Sequence, residues 1–233
     1  MKNFDLMAIL LNAEFGAMLL KGMRMTLQIA AGSWLLAMAL ALVLLVVRLM
    51  PSRIAERAVG AYVSYHRNVP TLVQLMLWYF GISSLLPNDM QGWLSEHNGE
   101  ALFAIVALGL CQAAYFSEDL RSGLRSIPDG QTEAARALGH SYLSAMRYVI
   151  LPQAVRNAVP ALVNHSVSLF KNSSLAMAIG VAELTHAVKE IESQSFRTFE
   201  AYLVATLVYL GFSLLIMAAG AWLSKRYSIA GAR

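Results

Sequence analysis

Residues 30–47 read AAGSWLLAMALALVLLVV, apolar or small at every position and without a charge. Extended by residues 25–29, this run exceeds the roughly 20 residues a helix needs to cross a hydrocarbon core. Residues 201–223 are equally apolar, and residues 101–116 extend in the same manner to about 123. Two further runs are long but polar. Residues 59–86 contain His66, Arg67, Asn68, Pro70 and Gln74, and residues 153–180 contain Asn164, His165, Lys171 and Asn172. The expectation is an all-α integral membrane protein with five transmembrane helices, at about 25–47, 59–86, 101–123, 153–180 and 201–223. The period-2 alternation that a membrane barrel requires is absent.

The composition of the 233 residues agrees. They are 58% hydrophobic and 14% charged, against roughly 45–50% and about 25% in soluble chains. The mean hydropathy is +0.54. Collagen, disordered and disulfide-stapled classes are excluded. Cys111 is the one cysteine and lies in an apolar run, so it reads as a buried, inert thiol. No low-complexity linker or internal repeat divides the chain. We expect an N-terminal periplasmic or interfacial segment at 1–21, one membrane domain at 22–224 and a cytoplasmic tail at 225–233. Asn12 and Glu14 interrupt the first apolar run, and no small-residue cleavage site follows, so it does not read as a removable signal.

The net charge of +4 is distributed as Lys and Arg retained on the cytoplasmic side rather than as a nucleic-acid footprint. Placing the C-terminus inside puts Arg48, Arg53 and Arg57, then Arg121, Arg125, Arg136, Arg147 and Arg156, then Lys225, Arg226 and Arg233 on that side. The outside stretch 87–100 carries Asp89, Glu96 and Glu100 and no Lys or Arg. The stretch 182–200 carries four Glu against Lys189 and Arg197. Lys21 and Arg24 run against this pattern. Five spans then leave the N-terminus on the outer side of the membrane.

The longest inside connection, about 121–152, has helical signals. Asp129 is placed to cap a helix whose first turn holds Gln131, Thr132 and Glu133. Ala134, Ala135, Ala137 and Leu138 form a small-residue stripe that Gly139 ends or bends. Residues 143–150 form a second short helical stretch, and Pro152 suits the first turn of the next span. A short projecting helix with a small face fits a partner's groove; the alternative is an amphipathic helix lying on lipid.

Glu133-Ala134-Ala135, three residues, Gly139, nine residues, then Val149-Ile150-Leu151-Pro152 resembles the EAA loop of bacterial ABC-importer permeases, with Val149 in place of an isoleucine. Residues 62–74, 114–118, 126–131, 149–154 and 169–175 resemble further ordered stretches of the polar amino acid uptake family of binding-protein-dependent permeases (histidine/glutamate/aspartate type). The likeness covers about 22–223. Two departures are Arg67-Asn68-Val69-Pro70, where the family often has Arg-Gly-Thr-Pro, and Asp119, where it often has a hydrophobe. The former is similar to the glutamate/aspartate branch.

The resemblance implies a type I ABC importer permease fold with a cytoplasmic coupling helix at 129–152, in which Glu133, Ala134, Ala135 and Gly139 contact the ATPase. It implies a second permease subunit in a homo- or heterodimer, two ATP-binding subunits, a periplasmic substrate-binding protein and alternating access driven by ATP. The substrate would be an acidic (glutamate/aspartate) or related polar amino acid. The chain has no Gly-x-x-x-x-Gly-Lys-Ser/Thr loop. It is therefore expected to be no enzyme and to carry no cofactor, with ATP and Mg in the partner ATPase.

Ionisable groups inside spans usually face a cavity or one another. Asn164, Ser168 and Lys171 share a helix face at i, i+4 and i+7, with Asn172 at its edge. Thr71 and Gln74 lie beside Pro70, where freed backbone groups can line a cavity. These six are the substrate-path candidates; the alternative is interhelical glue. Arg67, Glu118, Asp119 and Arg121 are gate or ion-network candidates, with Glu118 spaced for Arg121 and Arg125. The rival reading makes Glu118 or Asp119 the coupling site of an ion-driven amino acid carrier, whose usual two related halves five helices do not supply. His66 and His165 have no partners at ligand spacing, so no metal is expected, and no hydrolase triad is present.

The topology makes a direct prediction. In intact cells, an impermeant thiol reagent labels Asp89→Cys but not His140→Cys, which reacts only after the membrane is opened. Labelling of His140→Cys from outside would overturn the orientation.

Overall fold

The computed structural model describes residues 4–227, with only the backbone of Tyr227. The expected segments 1–21 and 225–233 thus lie partly outside the described residues, and Arg233 wholly so. Every regular element among the described residues is helical. They are α1 (Met7–Leu10), α2 (Ala13–Leu49), α3 (Arg53–Asn68), α4 (Thr71–Met76), α5 (Asn88–Glu96), α6 (Gly99–Arg125), α7 (Asp129–Ala137), α8 (Tyr142–Ala145), α9 (Leu151–Asn172), α10 (Leu184–Ser195) and α11 (Thr198–Tyr227).

Three of these, α2, α6 and α11, are long and apolar enough to cross a membrane. The helix α2 begins well before residue 25, because the Asn12 side chain accepts from the Glu14 and Phe15 N–H groups and caps it there. Residues 13–21 are therefore its first turns rather than a separate segment. At 37 residues it is about 55 Å long, well beyond a roughly 30 Å hydrocarbon core.

The two polar runs are not single α-helices. Between α3 and α4, Val69 is extended at φ −97°, ψ 131°. A residue before proline is driven out of the α region, and Pro70 supplies no N–H. After α4 the chain widens into a π-helical turn, Leu77–Ile82. The other run is α9 followed by a 3-10 stretch, Ser173–Ile179, which ends at Gly180 with φ 90°.

Helix α6 is the axis of the bundle, packed on α2, α3, α4 and α9. Its buried residues include Ala104, Ala107, Gly109, Ala113, Ala114, Ser117 and Gly123. Small residues let helix backbones approach where lipid offers no hydrophobic drive to associate. A Cβ at Gly109 would lie 2.7 Å from Leu36, and one at Gly123 would lie 2.4 Å from the Ala154 carbonyl oxygen.

Far along the bundle from α7, Glu183 holds three elements together. Fully buried, it caps α10 by accepting from the Thr185 and His186 N–H groups, each at 2.9 Å. It also accepts from the Tyr209 hydroxyl of α11 at 2.8 Å and the Thr26 hydroxyl of α2 at 3.3 Å. The Leu184 N–H donates to Thr26 Oγ1. The cap, α2 and α11 thus share one carboxylate.

The close α6–α9 crossing yields a stability test. Gly123→Ala should destabilise the detergent-solubilised chain by about 1–3 kcal/mol, read as a lower thermal midpoint. Gly130→Ala, whose Cβ meets nothing within 4 Å, should leave it unchanged or slightly raised. Equal midpoints for wild type and Gly123→Ala would overturn the crossing.

Candidate functional site

The broken helix is closed by one side chain. Gln74 is 1% exposed, and its Nε2 donates to the carbonyls of His66 (3.1 Å) and Val69 (2.7 Å). These are acceptors at the α3 end that the break leaves short of donors. Its Oε1 lies 2.6 Å from His66 Nδ1. Both ends of the amide are occupied, so Gln74 braces the break. Thr71 is half-buried with its hydroxyl 3.6 Å from the Cys111 sulfur of α6. It too turns toward a helix neighbour.

On α9, the shared face read from spacing is open. Asn164 and Lys171 are exposed and Ser168 is half-buried, its hydroxyl donating to the Asn164 carbonyl at 3.2 Å. Among the described residues no carboxylate lies within ion-pair distance of Lys171. Asn172 is half-buried at the start of the 3-10 stretch, against which α4 packs. The structure therefore sets Asn164, Ser168 and Lys171 on a free surface and turns Thr71 and Gln74 into helix contacts.

The candidate ion network divides. Glu118 accepts from Arg48 of α2 and lies 3.7 Å from Arg121, whose guanidinium is also 4.0 Å from Glu56. Arg125 does not join it, contrary to the spacing. A spacing of seven residues brings Arg125 round to the same face about two turns away, whereas Arg48 on a crossing helix comes closer. Asp119 points elsewhere. It is 8% exposed, and its Oδ2 is 2.6 Å from His165 Nδ1 of α9. The His165 ring is 5.0 Å from that of Tyr115, and the Arg67 guanidinium lies 5.5 Å over the opposite partner of that contact, the Tyr115 ring. Arg67, Tyr115, His165 and Asp119 thus form a polar seam across α3, α6 and α9. A cavity of about 770 Å³ beside the start of α7 is lined by Asp119, Ser126, Gln131, Gln153 and Asn157.

Sequence reasoning missed Arg48, Tyr115 and Glu183, and took His165 as lone. Apart from Tyr209 and the local cap contacts of Glu183, their hydrogen-bond partners are 46 to 157 residues away, so no spacing signalled those contacts.

The segment 129–150 folds as a hairpin. Pro128 precedes α7 and no side chain caps it; Asp129 is its first residue rather than its cap. At its end the His140 N–H donates to the Ala135 carbonyl and the Gly139 N–H to the Arg136 carbonyl. This closure requires a left-handed residue, supplied by Gly139 at φ 87°. Glu133, Ala134, Ala137 and Leu138 are exposed, Leu138 at 83%. Ala135 is the exception to the expected stripe, buried at 3% where α7 packs on the turn 146–150. From Tyr142 the helix runs through the π-helical turn Met146–Ile150 into α9 without a break, with Pro152 in the first turn of α9.

Residues 35–229 match the family described as "Binding-protein-dependent transport system inner membrane component". The chain is 34% identical over 218 residues to a probable amino-acid ABC transporter permease protein, PatM, of Vibrio harveyi, covering 92% of this chain and 95% of that one. It is 30% identical to the glutamate/aspartate import permease protein GltJ of Escherichia coli, covering 88% and 85%. It is also similar in structure to a chain of an amino acid ABC transporter crystallised with histidines. The TM-score is 0.84 and the identity 27%, over 97% of this chain and all of that one.

The seam makes a measurable prediction. In thermal unfolding, a double-mutant cycle of Asp119→Asn and His165→Gln should show a coupling of about 0.5–3 kcal/mol. The cycle pairing Glu118→Gln with His165→Gln should be additive. Additivity in the first cycle would refute the pair.

Proposed function

We propose a function from one premise: the chain belongs to the family of binding-protein-dependent transport system inner membrane components. Its relatives are amino-acid ABC transporter permeases, and our reading is that this chain is the membrane-spanning subunit of an ATP-driven amino acid importer. It pairs with a second permease subunit, a copy or a different chain, and receives substrate from a periplasmic binding protein. Two ATP-binding subunits, carrying ATP and Mg, dock at α7. The five spans are α2, the broken α3–α4 helix, α6, α9 and α11.

The observation that carries this reading is the α7 hairpin. Glu133 and Ala134 stand exposed next to Leu138, Tyr142 and Leu143, which are 83%, 64% and 77% exposed. An apolar patch of that kind marks an interaction surface. Because α8 continues into α9, a displacement of α7 by a closing ATPase reaches the Asn164, Ser168 and Lys171 face through one continuous helix. The packing of α6 on α9 carries it to the Asp119–His165 seam. Alternating access then amounts to moving α9 against α3 and α6 around that face. Glu118 and Asp119 are both engaged with basic partners, which weighs against either as the coupling site of an ion-driven carrier.

For the substrate, we favour an acidic or related polar amino acid. The exposed Lys171 has no carboxylate in ion-pair distance among the described residues, and Arg67-Asn68-Val69-Pro70 and the GltJ likeness lean the same way. Lys171 would meet the carboxylate that all amino acids carry, with Asn164 and Ser168 as hydrogen-bonding neighbours.

Reconstitution with its partner subunits tests the reading. Uptake of labelled glutamate should require ATP, survive collapse of ion gradients and be competed by aspartate. Glu133→Lys should lower uptake and substrate-stimulated ATP hydrolysis about ten-fold or more at unchanged membrane level. Gradient-driven uptake, or normal coupling in Glu133→Lys, would overturn the mechanism. Competition by neutral or basic amino acids alone would overturn the substrate class.

A further inference from the structure

A cavity of about 370 Å³ lies between the ends of α2 and α6 and the start of α3, at the end of the bundle that carries α7. Arg48, Arg53, Arg121 and Arg125 line it, with Glu56 as the one carboxylate on its wall. Glu118, behind the wall, takes Arg48 and Arg121. Four guanidinium charges therefore meet two carboxylates. Among the described residues, no carboxylate is within ion-pair distance of Arg53 or Arg125. The Arg48 Nε is buried without an acceptor, although a buried guanidinium donor left unpaired is costly. The remaining wall is apolar, with Leu45, Leu49 and Leu124 on helices long enough to cross a bilayer. At the depth where such helices leave the hydrocarbon, a basic pocket with an apolar floor faces phospholipid headgroups.

We propose that this cavity binds the phosphodiester headgroup of an anionic phospholipid, with the arginines on the phosphate and the acyl chains along Leu45 and Leu49. Guanidinium forks match phosphate oxygens two at a time. The two uncompensated positive charges suit one such lipid better than the zwitterionic kind. A free phosphate would share the arginines but have no use for the apolar wall. The bound headgroup would tie α2, α3 and α6 together where the chain turns at Pro51. The assignment needs only that α2 and α6 cross a membrane and does not rest on the transport reading.

Native mass spectrometry of the full chain, released from micelles doped with phosphatidylglycerol or phosphatidylcholine, tests it. Wild type should retain phosphatidylglycerol in preference, and millimolar inorganic phosphate should not displace it. The Arg53→Gln/Arg125→Gln double variant removes two exposed side chains that hold no carboxylate, so the fold is spared. It should retain phosphatidylglycerol roughly thirty-fold more weakly, as expected for two charges removed at a membrane surface, with phosphatidylcholine unchanged. Arg53→Lys/Arg125→Lys should recover only the part of the retention that charge supplies, since an ammonium lacks the bidentate fork. Equal retention of both lipids by wild type, or unchanged phosphatidylglycerol retention in the Gln double variant, would overturn the site. Displacement by inorganic phosphate would make it a free-phosphate site instead. Loss of a co-purifying ATPase from the Gln variant with lipid retention intact would assign the arginines to a protein partner.

Discussion

A peptide group buried away from water has to find its hydrogen-bond partner within the protein, and the break between α3 and α4 shows how this chain meets that demand. Pro70 removes a donor, Val69 leaves the helix, and acceptors near the end of α3 lose their helical partners. Gln74 answers by donating to the His66 and Val69 carbonyls. An amide side chain buried without partners is costly; here the break and the glutamine satisfy one another. The break lets α4 change direction and pack on both α6 and the 3-10 stretch after α9. The centre of the bundle depends on that change of course.

The same economy governs the charges. Glu118 and Asp119 are consecutive, and successive residues on a helix point about 100° apart. One helix, α6, therefore sends adjacent carboxylates to different neighbours. Glu118 reaches Arg48 on α2, and Asp119 reaches His165 on α9. Each pair joins α6 to another helix at a point where small residues bring backbones close. Glu118 keeps Arg121 if Arg48 is lost, whereas Asp119, 8% exposed, would lose its one ion-pair partner among the described residues with His165.

Against these locked contacts, Asn164 and Lys171 of α9 and Glu133, Ala134 and Leu138 of α7 stand exposed among the described residues. Helix α7 packs on the near part of the continuous helix that begins at Tyr142, and Asn164, Ser168 and Lys171 lie toward its far end. Gly139 makes the hairpin possible because its positive φ lets the chain reverse directly after α7.

Local chemistry made much of this legible in the amino-acid sequence. The apolar runs around 30–47 and 201–223, the disruption at Pro70, the turn at Gly139 and the common face of Asn164, Ser168 and Lys171 follow from composition, ring geometry and the helical repeat. Those are properties of neighbouring residues. Tertiary structure alone decided that Gln74 turns into the break, that Ala135 is buried, that Arg48 rather than Arg125 meets Glu118, and that His165 has Asp119. It alone placed Glu183 between Thr26 and Tyr209. Each of these outcomes depends on where helices cross, which is set by close contacts such as Gly123 on Ala154 between segments far apart in the chain. A helical repeat specifies the direction of a side chain around its own axis and carries no information about which other helix lies there.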